Sequence, residues 1–350
     1  MPDEQDNQIE RSEPGGISRR SETARRGSDA AGFVRGLANR RTESDLPSTV
    51  PTNRTYEFSL TWGTYGWGDG EFYFPLDVAV GSDGSVYVTS QANPSALFVP
   101  ETGQLSNLIQ KFTSEGVFAS NYSGMEGLDF GVKLCGITVA PDGSVYAIDQ
   151  GTHRIYKFTS EGVVLSKWGT YGSGDGEFND PDSVAVAAEG TVFVTDWRNN
   201  RVQKFTSEGV FVAKWGIEGS GNGEFIRPEG IGVAPDGSVY VADQGNHRVQ
   251  KFTSEGVFVS KWGTEGSGDG EFAYPHGVAV ASDGSVYVVD SGNHRIQKFT
   301  SEGVFVSKWG TSGSGDGEFS NPVGIAVAAD GNVYVADQLN HRIQKFSPAQ

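Results

Sequence analysis

The sequence of 350 residues contains a single cysteine, Cys135. One thiol excludes an internal disulfide framework and any cysteine-rich zinc site, and it leaves the redox compartment open. No stretch shows sustained helical periodicity, and every apolar run falls far short of the roughly 20 residues that a membrane-spanning helix needs. The N-terminus also lacks the apolar core of a secretory signal. We therefore expect no membrane segment and, by default, a cytoplasmic protein.

Positive charge is scarce after residue 55. Residues 1–55 contain nine Arg and nine Asp or Glu, so the net charge of −17 belongs to residues 56–350, which contain 18 basic and 35 acidic residues. Nucleic-acid binding normally uses a basic surface that displaces counterions from phosphates. The charge therefore argues against DNA or RNA as the ligand. It favours a cationic partner, with solubility as the plainer explanation.

Large apolar residues are few and scattered in residues 1–55, where Arg, Ser, Glu and Gly are the most prominent residues. Such a composition cannot bury enough apolar surface to offset the entropy of ordering the chain. We expect a disordered tail over 1–55, followed by one folded domain over 56–350 that is a monomer.

Glycine is abundant, with 49 residues, and it accompanies many Asp-Gly pairs and short Val, Tyr and Phe runs. This composition predicts brief strands joined by tight turns. A tryptophan recurs every 47 residues, at Trp168, Trp215, Trp262 and Trp309. A repeat of this length is typical of propeller blades, which bury their faces only by stacking on copies of themselves.

Each repeat contains four predicted strands. In one copy they are 277–281, 286–290, 294–299 and 303–309. Six innermost strands can be counted along the chain, but the last repeat ends at residues 346–350 without an outermost strand. We expect residues 56–62 to supply that strand and to close the ring. The predicted fold is an all-β, six-bladed propeller of four-stranded antiparallel blades.

The strings GSGDGEF, YPHGVAV and SDGSVYVVDSGNHRIQKF resemble the NHL repeat, and the match spans residues 56–346. The resemblance implies a six-bladed propeller, in agreement with the strand count. It implies no single activity. NHL relatives include RNA- and protein-binding modules of tripartite-motif proteins, sensor domains of bacterial kinases and a zinc-dependent amidating lyase.

Two polar motifs recur around the predicted ring. One is Asp-x-x-x-His-Arg, as in Asp243, His247 and Arg248, with Asn200 replacing the histidine in one blade. Five copies indicate architecture, with hydrogen bonds that tie adjacent blades together, rather than acid–base catalysis. The other motif is GSGDGEF, in which Asp269 and Glu271 could bind calcium. Because it lacks an alternating ladder of acids, we favour a structural turn.

One position varies from blade to blade, between the proline and the small residue that open each innermost strand. Its residues are Leu76, Cys135, Asp182, Glu229, His276 and Val323. We expect them to surround one mouth of the central channel. Asp182, Glu229 and His276, with Cys135 next in line, are candidates to bind a cationic ligand or a divalent metal. The alternative is that they are simply solvated, and no cofactor is predicted.

The resemblance allows a test of the enzyme hypothesis at this position. In the amidating lyase, zinc is held by histidines at the corresponding Pro-His position of alternate blades. Here only His276 matches, while alternate blades supply Asp182 and Leu76, and leucine cannot ligate a metal. We therefore do not expect the lyase activity to transfer.

Two further features are expected on the same face as the channel mouth. Residues 91–110 enlarge the loop between the second and third strands of blade one, and Leu97, Phe98 and Val99 could cap the channel or contact a partner. Packing of these residues on their own blade is the alternative. Trp197, which stands where other blades have glutamine, is expected to be exposed and to contact a partner.

These observations favour a non-enzymatic scaffold that binds a protein or a small ligand, in particular a cationic one, through this loop face. One alternative is a metal-dependent lyase or hydrolase at the channel mouth. Another is substrate recognition for ubiquitin transfer, as in tripartite-motif proteins. The chain has no cysteine-rich RING module, so it could not catalyse that transfer itself.

Overall fold

The computed structural model describes residues 55–91, 109–122 and 133–349. The predicted tail up to residue 54, and Leu97, Phe98 and Val99 of the insertion, lie outside the described residues. The described part forms six four-stranded antiparallel sheets, which are the blades of the propeller. Within it, no helix has the length and apolar character needed to cross a membrane.

The 24 strands are numbered along the chain. Strand β1 is Tyr56–Trp62. Blades one to three comprise β2 Pro75–Val80, β3 Val86–Ser90, β4 Ile109–Phe112, β5 Phe118–Asn121, β6 Leu134–Val139, β7 Val145–Asp149, β8 Arg154–Phe158, β9 Val164–Trp168, β10 Pro181–Val186, β11 Val192–Asp196, β12 Arg201–Phe205 and β13 Phe211–Trp215. Blades four to six comprise β14 Pro228–Val233, β15 Val239–Asp243, β16 Arg248–Phe252, β17 Phe258–Trp262, β18 Pro275–Val280, β19 Val286–Asp290, β20 Arg295–Phe299, β21 Phe305–Trp309, β22 Pro322–Val327, β23 Val333–Asp337 and β24 Arg342–Pro348.

The hydrophobic core lies between successive blades. Every residue of β15 is buried, whereas β17 alternates between half-buried and exposed positions. The second strand of a blade has neighbouring sheets on both faces, which explains its continuous apolar run. In one such layer, Tyr240 of blade four packs in the same buried cluster as Phe272 and Phe299 of blade five. Each blade therefore depends on its neighbours for burial.

The predicted closure of the ring is confirmed. Strand β1 pairs antiparallel with β24, so the sheet order of the last blade is β1-β24-β23-β22. Tyr56 faces Pro348 at one end of this pairing and Trp62 faces Ile343 at the other. The ring of Tyr56 also stacks on Trp309 of blade five at 4.7 Å. The first strand is thus packed on both the last blade and its neighbour.

In four of the blades, the histidine of the recurring motif connects its blade to the next one. His247 follows a short 3₁₀ turn, Gln244–Asn246, in the left-handed conformation with φ 53°, and its Nδ1 accepts a hydrogen bond from the Tyr274 amide at 3.2 Å. In blade three, Asn200 Oδ1 accepts the same bond from the Arg227 amide at 2.9 Å. His153, His294 and His341 make the equivalent contact. The predicted third strand accordingly begins one residue later, because the histidine has left-handed geometry.

In blades three to six, the aspartate and arginine of the same motif hold the blade to the linker that precedes it. Arg248 Nε lies 2.7 Å from Asp243 Oδ2, and both groups are buried. The two remaining guanidinium nitrogens donate to the carbonyls of Ser220, Gly221 and Glu224 in the linker. Arg201, Arg295 and Arg342 repeat this arrangement. The predicted structural role of the motif is therefore confirmed.

The acidic residues of the glycine-rich linkers also have structural partners. Glu271 Oε2 accepts a hydrogen bond from the Gly268 amide at 2.8 Å, and Asp269 forms an ion pair with Lys308. The Glu271 carboxylate therefore closes a tight turn within the linker. This geometry agrees with the structural interpretation of the motif and leaves no alternating set of carboxylates for calcium.

Candidate functional site

Five of the six variable residues at the start of the innermost strands line one cavity at a mouth of the channel. A cavity at this mouth is lined by Leu76, Cys135, Asp182, His276 and Val323, which come from five different blades. Close packing between blades favours a small residue at the next position of each innermost strand. At Gly230 and Gly277 a side chain would overlap the backbone of the next blade. The variable side chains are therefore the groups that a ligand in the mouth would meet.

Asp182, Glu229 and His276 converge on one side of the mouth. One ligand atom from each of them lies within 4.8 Å of the others. His276 Nε2 is 3.0 Å from Glu229 Oε2. Apart from this ion pair, the buried Oε2 atom accepts no hydrogen bond from any described residue. Glu229 is therefore a buried carboxylate whose second stabilising partner would have to come from a ligand or solvent.

The charged groups at the mouth shift one another's pKa values. Burial opposes protonation of His276, but the charges of Glu229, Asp182 and Asp77 outweigh burial and raise its pKa to about 9. Burial and the charge of Glu229 raise the pKa of Asp182 to about 6, against the opposing charge of His276. At neutral pH the cluster thus holds a protonated histidine among carboxylates. A cluster of perturbed groups in a concave site is characteristic of a functional position.

Asp77 is a site residue that the sequence analysis missed. It follows Leu76 in blade one, where four other blades have glycine and blade three has Ser183. Its Oδ2 accepts a hydrogen bond from the Ile137 amide of blade two at 3.0 Å, and burial raises its pKa to about 7. The sequence did contain a signal for Asp77, because it is the one carboxylate at a repeat position that is glycine or serine in the other five blades.

Cys135 lies at the mouth but does not join the acidic cluster. Its side chain is buried, and the thiol points to the backbone carbonyls of Pro181 and Asp182, with Sγ–O distances of 3.6 and 3.4 Å. Burial, with a smaller effect of Asp182, raises the pKa of this thiol well above its usual value. A neutral thiol committed to the backbone is a poor metal ligand or nucleophile. Its role here is packing between blades.

Trp197 is half-buried rather than exposed, which corrects the sequence-based expectation. The guanidinium groups of Arg198 and Arg227 lie over its ring at 5.2 and 5.3 Å. It nevertheless lines a second cavity on the loop face, together with Asp182 and Glu229. Trp197 therefore borders Asp182, which also lines the channel mouth, and carries two guanidinium groups over its ring.

Asp182, Glu229 and His276 are only partly suited to hold a divalent metal. Two carboxylates and an imidazole are suitable donors for zinc or a similar ion. However, the His276 Nε2 atom already forms an ion pair with Glu229. The other variable positions of the mouth are occupied by Leu76 and Val323, which cannot ligate a metal, and by Cys135, whose thiol faces a backbone carbonyl. The residues can supply three ligands from one side of the mouth only. Metal binding would also have to displace a proton from His276 at neutral pH.

Comparison with known proteins shows that four of the six repeats match one family. A family model described as "NHL repeat" matches residues 178–205, 225–252, 272–299 and 319–346. These four matches are consecutive and fall in blades three to six, where each begins at the buried phenylalanine that ends the linker and runs through the third strand. No curated protein sequence matches the chain.

Several solved structures share the fold. A protein of unknown function from Bacteroides thetaiotaomicron has a TM-score of 0.64 at 19% identity, covering 84% of this chain and 76% of that one. A streptogramin B lyase has a TM-score of 0.55 at 16% identity, covering 79% and 94%. A gluconolactonase from Xanthomonas campestris has a TM-score of 0.56 at 12% identity, covering 79% and 87%. At these identities the likeness concerns the fold alone, which serves different activities.

Proposed function

Since four consecutive segments of the chain match the NHL repeat and the described residues fold as a six-bladed propeller, we propose that the protein is a non-enzymatic binding scaffold whose channel mouth holds a cationic group of a small ligand or protein. The observation that carries this proposal is the convergence of Asp182, Glu229 and His276, with Asp77 beside them, at the mouth. The cluster is built from four blades, so its geometry is fixed by the rigid ring. Preorganised charge of this kind favours binding, because little ordering is needed when the ligand arrives.

The charge of the preferred ligand follows from the charged groups at the mouth. The protonated imidazole of His276 and the Lys133 side chain lie at the mouth with three carboxyl groups, and the domain around the mouth carries an excess of acidic residues. Field lines from such a surface concentrate in a concave mouth and attract cations. A guanidinium or ammonium group would place N–H donors against the carboxylates of the cluster, beside the ion pair of His276 with Glu229.

Calorimetry with a defined probe tests this proposal. N-acetyl-arginine amide, a monovalent cation with no other charge, is titrated into the full chain at pH 7.5. We expect binding to the wild type and a loss of affinity of at least about tenfold in the double variant Asp182→Asn/Glu229→Gln, because charge-assisted hydrogen bonds at a partly desolvated site typically contribute more than 1.4 kcal/mol.

A charge-matched control separates the mouth from the overall charge. Glu208→Gln/Glu255→Gln removes two carboxylates from exposed turns that join the third and fourth strands, and therefore changes the net charge equally. This control should bind the probe as the wild type does. Equal weakening in both double variants, or no binding by the wild type, would overturn the proposal.

A metal-dependent lyase or hydrolase is the second candidate, favoured by the three donor atoms within 4.8 Å of one another. Such an enzyme needs a resident metal ion held by Asp182, Glu229 and His276, leaving an open coordination position for water or substrate. Since His276 would have to lose its proton first, metal affinity would rise with pH up to about 9. Metal content therefore distinguishes the two candidates.

A further inference from the structure

The linker that enters blade one is richer in aromatic residues than the linkers that enter blades three to six. It carries aromatic residues at Tyr65, Trp67, Tyr73 and Phe74, and the linker that enters blade six has Ser312, Ser314, Ser320 and Asn321 at these positions. The linkers into blades three, four and five carry at most one aromatic residue at these four positions. The shared glycines and the turn glutamate are the same, so the aromatic residues are additions to a common frame.

These side chains form one cluster with His341 of blade six, which we call the aromatic cluster. The ring of Tyr65 stands nearly perpendicular to those of Tyr73 and His341, at interplanar angles of 78° and 88° and centroid distances of 5.8 and 5.1 Å. Trp67 packs against Tyr73 at 5.4 Å. Rings that meet at right angles form an angled wall, which can present more than one aromatic face to a single group.

Two residues of the aromatic cluster are exposed, and the linker turn forms without such residues in blade six. Tyr65 is 58% exposed and Trp67 is 38% exposed. The blade-six linker builds the same turn with serine, since the Gly315 amide bonds Glu318 as the Gly68 amide bonds Glu71. Large aromatic side chains that are exposed, clustered and dispensable for folding mark an interaction site.

The surroundings of the aromatic cluster favour a cation. Asp69 of the same linker accepts a hydrogen bond from Asn121, whereas Asp175 and Asp269 of sibling linkers pair with lysines. Asn121 occupies the register position at which Lys214 stands in blade three, and its side chain is uncharged. Burial lowers the pKa of His341, so its imidazole is neutral at pH 7 and does not repel positive charge.

The aromatic cluster is also continuous with the channel mouth. The Gln91 amide donates to the Tyr73 carbonyl at 3.0 Å, and Gln91 lines the mouth cavity. A chain laid across the cluster would therefore reach the acidic mouth. Arginine side chains suit both surfaces, because the guanidinium stacks on aromatic rings and pairs with carboxylates.

We propose that the aromatic cluster is a docking surface for an arginine-rich segment of a partner protein, whose guanidinium groups stack on Tyr65, Trp67 and Tyr73. This inference goes beyond the proposed function, since it assigns a second contact surface made of different residues. The two proposals can fail separately.

A variant that copies the blade-six linker tests the docking surface. Tyr65→Ser/Trp67→Ser/Tyr73→Ser/Phe74→Asn leaves every charge in place, and Asn321 shows that asparagine adopts the left-handed conformation of Phe74, φ 54° against 52°. The probe is a fluorescently labelled octa-arginine peptide, titrated into the full chain by anisotropy. We expect a loss of affinity of about tenfold or more, and a smaller loss for octa-lysine, which stacks less well on aromatic rings.

Matched controls keep the outcome interpretable. Val210→Ser/Val257→Ser/Val304→Ser removes exposed apolar side chains from turns on the opposite face and should bind octa-arginine as the wild type does. The variant Asp182→Asn/Glu229→Gln tests the mouth alone. Unchanged octa-arginine affinity in the four-residue variant would overturn the docking proposal. A second outcome would also overturn it: if the four-residue variant lost binding to a soluble glucan but kept its affinity for octa-arginine, the aromatic cluster would be a carbohydrate site.

Discussion

His276 owes its protonation to the carboxylates that surround it in the channel mouth. Its pKa of about 9 reflects the charges of Glu229, Asp182 and Asp77 acting against burial. Because the folded pKa lies above the usual value of 6.5, the stabilising contribution of this group is complete below pH 6.5 and is lost as the pH rises through 9. His276 is therefore a source of stability at neutral pH and a cation that an incoming ligand meets.

A nuclear magnetic resonance titration of the histidine side chains checks this electrostatic account. The His276 resonance should titrate near pH 9, whereas the His341 resonance should titrate below 6.5, because burial alone lowers its pKa. In Glu229→Gln the His276 midpoint should fall. A His276 midpoint at or below 6.5 in the wild type would show that the ion pair with Glu229 does not form.

The sequence predicted part of this site. The repeat made Asp182, Glu229 and His276 visible because a variable position stands out in an otherwise copied unit. It could not show that Cys135 turns its thiol to backbone carbonyls, or that Arg198 and Arg227 cover Trp197. Those outcomes depend on side-chain directions and on neighbours from other blades, which are not local in the sequence.

At the scale of the elements, the turn between the second and third strands fixes how neighbouring blades meet. The residue that ends this turn has φ near 53° and accepts a hydrogen bond from the linker into the next blade. Histidine and asparagine both perform this task, as His247 and Asn200 show. The requirement is therefore a left-handed residue with a short acceptor, not an imidazole.

Substitutions at His247 test this requirement. We expect His247→Asn to be nearly neutral, because asparagine tolerates the left-handed region and Asn200 Oδ1 already makes the bond. His247→Ala should destabilise the fold by about 2 kcal/mol, since it loses the acceptor and places alanine at positive φ. Denaturant unfolding measures both changes. Equal destabilisation by asparagine and alanine would mean that the imidazole ring itself is needed.

The strand pattern was largely predictable, because the repeat supplies the same turns and apolar alternation many times. The innermost and second strands agree with the sequence-based bounds within two residues, as β18 and β19 illustrate. The third strand was predicted one residue too early because the left-handed histidine was read as part of the strand. Such a residue is visible only through its φ angle.

At the scale of the whole molecule, ring closure makes the site. Asp77 and His276 are far apart in the sequence, yet both line one cavity because the blades stack in order and β1 completes the last sheet. The same closure brings the aromatic linker of blade one beside His341 of blade six. Both proposed contact surfaces therefore depend on the complete propeller, and no single blade could build either of them.

The central claim is that the channel mouth, with Asp182, Glu229 and His276, binds a cationic group and does not hold a catalytic metal ion. Metal analysis of the full chain, purified without chelators, tests it most directly. The account predicts zinc and other transition metals well below one equivalent, with no difference among the wild type, His276→Ala and Asp182→Ala. One tightly bound equivalent in the wild type, lost in both variants, would contradict the account and favour a metal-dependent enzyme.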